Sequence, residues 1–158
     1  MSVTVTQKNP GWISRLLGRY HQVASKEIAV GFPKGRAQAY PDGTDLIKVA
    51  LENNFGTDRI PERNFMEQAQ PGIQQNTAPI LKQLVKEQNK EQRSQVAEEA
   101  LMQAAGAEGA ASIQDAILDG EYAPNAPATI ARKKSTKPLV DTGHLKNSVT
   151  YAVRDRRG

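Results

Sequence analysis

The sequence predicts an α+β fold: a helix-dominated single domain spanning residues 1–158, with a small antiparallel sheet and one long helix. Three observations predict it. Apolar residues recur at helical spacing over most of the chain. The few alternating stretches that suit strands lie far apart in sequence, which favours α+β over a wound parallel sheet. A length of 158 residues with 38% hydrophobic side chains fits one domain with a sizeable core.

Residues 1–10 contain "VTVTQ", which reads as a short strand or a flexible arm and is broken by Pro10-Gly11. "WISRLLGRYHQVA" follows, with Trp12, Ile13, Leu16, Leu17, Tyr20 and Val23 on one helical face. Ile28, Val30 and Phe32 then alternate as in a strand that Pro33 and Gly35 end. "RAQAYPDGT" is a loop by its Pro-Asp-Gly turn. Thr44 or Asp45 caps a helix through "LIKVALENNFG", and Gly56 stops it. "TDRIPERNFMEQAQPG" reads as extended and proline-marked.

The long helical segment is expected over residues 68–120. Ile73, Thr77, Ile80, Leu81, Leu84 and Val85 trace its first stripe, and Pro79 either kinks the helix or begins it. Residues 86–95 carry no apolar side chain, yet their Gln, Glu and Lys favour helix, which suggests a polar rod in need of support. The apolar pattern resumes at Val96, pauses at Gly106 and Gly109, and continues through Ile113 and Ile117. Residues 122–158 form a C-terminal helix–strand segment. A short helix follows Asn125 with Pro127 in its first turn, "DTGHLKNSV" turns, and Val149, Tyr151 and Val153 alternate as a strand.

Asp141-Thr142-Gly143 has the form of an aspartic protease triplet. Such an enzyme needs two carboxylates sharing a proton, and the chain has a single D-T-G in helical surroundings. Asp141 or Thr142 is better read as a helix cap, with Leu145 and Val149 inward at i, i+4. The two histidines, His21 and His144, lie apart and outside any H-E-x-x-H pattern. The glycine-rich "GFPKGRAQAYPDGT" lacks phosphate-loop spacing. No cysteine is present, so disulfides and thiol chemistry are excluded. No catalytic, metal or cofactor site is expected, and no small-molecule substrate. No apolar run is long enough to cross a membrane, and the N-terminus lacks a signal-peptide core. From Ala131 onward eight Lys or Arg face two Asp, a basic end that suits a solvated terminus or contact with nucleic acid.

Three segments together resemble a known family. "IKVALENNFGTDRIPERNFM" is similar to "VAxxNEFGT…IPxRPFM", and "TIARKKSTKPLVDTGHLKNSVTY" to "TIARK", "KPL" and "DTGxLxxSITY". "IAVGFPKGRAQAYPDGT" is similar to "VxVGxxxG…YPDGT". These patterns mark small neck and tail-completion proteins of tailed bacteriophages. Asn54 stands where the pattern has Glu, and Asn64 where it has Pro.

The resemblance implies a non-enzymatic virion protein in the neck or tail region, assembled in the host bacterial cytoplasm. It implies a homo-oligomeric ring that joins head to tail. The implied partners are further copies of the chain, head-completion or adaptor proteins, and tail-terminator or tail-tube proteins, with DNA only as passing cargo. A tail terminator, a minor tail protein, or a nucleic-acid-binding accessory protein using the basic end are the alternatives. In a ring, Phe55, Ile60, Phe65 and Met66 are candidate subunit-interface residues, expected to anchor against a core or an adjacent subunit, with Arg59 and Arg63 pairing to acidic groups on a neighbour.

Overall fold

The fold is known from a computed structural model, which describes residues 26–33, 39–90, 92, 94–133 and 136–156. The expected arm at 1–10 and the helix beginning at Trp12 lie outside the described residues. The described elements run β1 (Lys26–Gly31), α1 (Leu46–Phe55), α2 (Phe65–Gln88), α3 (Gln95–Asp119), α4 (Pro127–Lys133), α5 (His144–Asn147) and β2 (Thr150–Asp155). The two strands pair as an antiparallel sheet, so the fold is α+β and helix-dominated.

Among the described residues, those from Ile28 to Val153 form one compact unit, while Lys26, Glu27 and Arg154–Arg156 belong to a second. In the second, Arg154 Nε donates to Glu27 Oε1 at 2.6 Å.

The turn before α1 forms as its sequence directs, with Asp42 Oδ1 accepting the Thr44 amide at 2.9 Å. Asp45 is the α1 cap, and its Oδ1 accepts the amides of Ile47 at 2.8 Å and Lys48 at 3.4 Å. Gly56 ends the helix at φ 74°, and a Cβ there would lie 2.9 Å from the Glu62 backbone nitrogen. That close return lets the Arg63 amide donate to Asn53 O, closing a carbonyl of the last helical turn.

Two expectations are corrected in the helical region. First, α2 begins at Phe65, before residue 68 and inside the stretch read as extended. Its own N-cap residue, Asn64, makes no side-chain capping bond, but Asn54 on α1 accepts the Met66 amide through Oδ1 at 3.0 Å. A cap supplied from another element leaves no local sequence signal. Second, the long segment is two helices, not one. The polar stretch at 86–95 is no rod, because α2 stops at Gln88 and α3 starts at Gln95, capped by Ser94 Oγ on the Ala97 amide at 3.2 Å. The stretch has no apolar face to bury, so nothing in its packing carries the helix on past Gln88. Pro71 and Pro79 both lie inside α2, where each removes one ladder N–H.

The core joins Leu46 and Ala50 of α1, Phe65 and Ala69 of α2, and Ala110, Ile113 and Ile117 of α3 with Leu139, Leu145 and Val149. Leu145 and Val149 are buried together, as their spacing suggests. Gly106 and Gly109 do not interrupt α3. They form the face on which the sheet rests: a Cβ at 106 would lie 2.3 Å from the Tyr151 ring of β2, and one at 109 would lie 3.1 Å from Val30 of β1. Gln114 Nε2 also donates to Val149 O at 3.1 Å, fixing the entry to β2.

Gly106→Ala is therefore expected to destabilise the fold by about 2 kcal/mol, overpacking outweighing a gain in helix propensity of about 1 kcal/mol. Thermal melts would show it, and the loss should largely vanish when Tyr151 is Ala as well.

Tyr122 closes the C-terminus of α3 by donating from its hydroxyl to Ala116 O at 2.6 Å. Burial pushes its phenol up from 10.0 to about 12. The unfolded chain loses this proton first, so the contribution is complete below pH 10 and is lost as pH rises toward 12. In urea titrations, the stability gap between the wild type and Tyr122→Phe is expected to narrow across that window. A gap that stayed constant would contradict the assigned burial.

Candidate functional site

α1 is apolar on two adjacent stripes, and only one of them is covered. Leu46, Ala50 and Asn54 recur at i, i+4, i+8 and are buried. Ile47, Leu51 and Phe55 repeat the same spacing one residue later and are 38%, 52% and 65% exposed. With Phe32 and Met66 they line an open groove of about 360 Å³, and the buried Ala50 and Phe65 also reach it. Glu67 is the one charged side chain on its lining.

Beside the groove, a polar cluster holds the loop 57–64 against α1. Arg63 is 5% exposed. Its Nε donates to Ala123 O at 3.1 Å, Nη1 to Asn53 Oδ1 at 3.1 Å, and Nη2 to Asn125 Oδ1 at 3.2 Å. The partners are neutral acceptors, and burial holds the guanidinium below its ordinary pKa. Asn125 Nδ2 continues the chain of bonds to Lys137 O at 3.3 Å. Asn54 donates to Glu67 Oε2 at 3.2 Å while its Oδ1 caps α2. A Glu at 54 would have no hydrogen to offer Glu67, so Asn54 suits this pairing. In the loop itself, Thr57 Oγ1 accepts the amides of Arg59 and Ile60 at 3.2 and 3.0 Å.

This geometry divides the expected interface residues. Phe55 and Arg59 are exposed, Ile60 and Met66 are half-buried, and Phe65 and Arg63 are buried within the chain. Two interface candidates are therefore corrected: Phe65 takes the core alternative, at 1% exposure, and Arg63 binds its own chain rather than a neighbour's carboxylate. The sequence did not mark Ile47 and Leu51 as site residues, nor Asn53, and it noted Asn54 only as a departure from the family pattern and Asn125 only as preceding a helix. Ile47 and Leu51 were visible as surplus apolar positions on a short helix. Asn53 and Asn125 had no signal of a polar cluster beyond their place in "LENNFG" and "APNAP".

At the triplet, Thr142 is the capping residue. Its Oγ1 accepts the His144 amide at 3.4 Å, although the formal N-cap of α5 is Gly143 in the left-handed conformation at φ 77°. Asp141 is exposed and makes no capping bond. It lies near Tyr40, whose phenol is raised first by burial and then by the charges of Asp141 and Asp42. The Tyr40 and His144 rings meet at 4.5 Å between centroids. In the basic end, Lys133 turns inward and donates to Pro138 O at 3.4 Å. Among the described residues, no group of three or more His, Asp or Glu side chains could hold a metal ion, and no helix is long and apolar enough to cross a membrane. Comparison of the chain with protein-family models, with curated proteins and with solved structures gives no match.

Proposed function

We propose that this chain is a non-enzymatic structural protein of a tailed-phage virion, a subunit of the neck or collar ring that joins head to tail. The observation that carries the reading is the uncovered stripe Ile47–Leu51–Phe55 and the groove beside it. A contiguous exposed apolar patch marks a surface made for another protein. It lies within "IKVALENNFGTDRIPERNFM", the central segment of the resemblance to neck and tail-completion proteins. That segment's polar cluster serves to hold the stripe in place: Arg63 and Asn54 fix the loop and the start of α2, so the apolar side chains stand on rigid backbone.

The test is to locate the chain in intact virions by electron microscopy with a tagged copy, alongside mass photometry of the purified protein. A ring in the head–tail region is expected. Leu51→Arg, a change on an exposed position, should prevent assembly while leaving the circular dichroism spectrum unchanged. Particles whose neck and tail lack the chain would refute the proposal.

A further inference from the structure

We infer that the groove on α1 receives the far end of α2 from a second copy of the chain, so that copies join head to tail. The inference rests on the ring reading above and names the surfaces that would make the ring.

A second uncovered apolar surface exists at the turn end of the α2–α3 hairpin. Leu81 and Val85, one turn apart on α2, are 40% and 54% exposed, and Val96 at the start of α3 is 81% exposed. Lys82 and Lys86 border the Leu81–Val85 stripe at the same spacing. Both are exposed, and neither has an ion pair among the described residues. This is the form of an amphipathic helix that lays i, i+4 anchors into an apolar groove.

The groove end of the molecule carries the opposite charge. Glu67 lines it, and the loop that follows Phe55 adds exposed Asp58 and Glu62 against a single exposed cation, Arg59. Lys48 and Glu52 on α1 pair with each other at 3.8 Å and leave no balance. The lysines of α2 therefore meet a net acidic border.

The chain's own α2 cannot fill the groove. Glu67 and Leu81 belong to one continuous helix, and their separation along it is about 20 Å at roughly 1.5 Å per residue. The stripe must enter another copy's groove, and in the proposed arrangement that copy's stripe enters a third. Such a contact between unlike surfaces generates a closed ring or an open filament.

The absence of cysteine from the native sequence makes the test direct. Phe55→Cys and Val85→Cys are made separately in the full chain, and each is treated with a short bismaleimide, alone and mixed. Cross-linked dimers are expected only on mixing, and a chain carrying both changes should give a ladder of oligomers. Lys82→Glu with Lys86→Glu should lower the mixed yield on the order of tenfold, and Asp58→Lys with Glu62→Lys in the other partner should restore it.

Phe55→Cys linking to itself would show groove meeting groove, which overturns the inference. Dimers without a ladder from the doubly changed chain would show a reciprocal exchange between two copies, which overturns it too. A link within one chain between Phe55→Cys and Leu16→Cys would make the N-terminal segment the occupant, which also overturns it. Rings without the mixed cross-link overturn this docking alone and leave the ring reading standing. A chain that stays monomeric and unlinked at its highest soluble concentration, and is missing from virion necks, overturns both.

Discussion

Phe65→Ala is expected to lower stability by about 4 kcal/mol, a large share of the roughly 5–15 kcal/mol that holds a domain folded. Phe65 is 1% exposed and is the first residue of α2, where it joins α1, α3 and the residues around Leu145 in one core. Truncation removes a large apolar surface and leaves a void beside the groove that no neighbouring helix can close without moving. Phe65→Leu, which keeps most of the volume, should cost about 1.5 kcal/mol. The informative control is the other phenylalanine of the same motif. Phe55 is 65% exposed, so Phe55→Ala should change the stability of the isolated chain by no more than about 0.5 kcal/mol. Denaturant titrations of the three variants check this, and equal losses at 55 and 65 would contradict the burial assigned to them.

Arg63→Ala is expected to cost about 3 kcal/mol, or roughly 10 °C in melting temperature. Removing the guanidinium strips Asn53 Oδ1, Asn125 Oδ1 and Ala123 O of their donor at once. Arg63→Lys should recover little, because a single ammonium cannot reach three acceptors arranged around a planar fork. All three partners are uncharged, so the loss should be nearly the same in low and high salt. A loss that disappeared with added salt would mean that Arg63 acts through a charged partner instead. The same variant should leave the loop 57–64 more exposed to amide exchange than α3, since its tie to α1 is gone.

Local chemistry made part of this legible from sequence. Asp45 caps α1 and Gly56 ends it because both signals act on the nearest backbone. Leu145 and Val149 are buried together because one helical turn separates them. The start of α2 was hidden, since its first turn is capped by Asn54 across a loop. The turn at 89–94 was hidden because Gln, Glu and Lys favour helix locally while offering nothing to bury. Phe55 and Phe65 are the same residue type in one motif, and only the packing of α1 against α2 turns one outward and the other inward. Gly106 and Gly109 read as a weakness in a helix and serve instead as clearance for two strands. Arg63 looked like a group for a partner because a guanidinium suits bidentate contact with a carboxylate. Its acceptor at Asn125 is brought to it by the fold.

The seating of both strands on Gly106 and Gly109 also orders events during synthesis. The α2–α3 hairpin is built from contacts close in sequence and can form as soon as its two helices are made. The sheet joins opposite ends of the described chain, so β1 waits for β2, which is made after every other described element. Until Tyr151 arrives, Gly106 has no cover and β1 lacks its partner strand. A chain arrested before β2 is thus an intermediate whose β1 lacks its partner, at risk of pairing with the wrong strand while the hairpin beneath it is already formed.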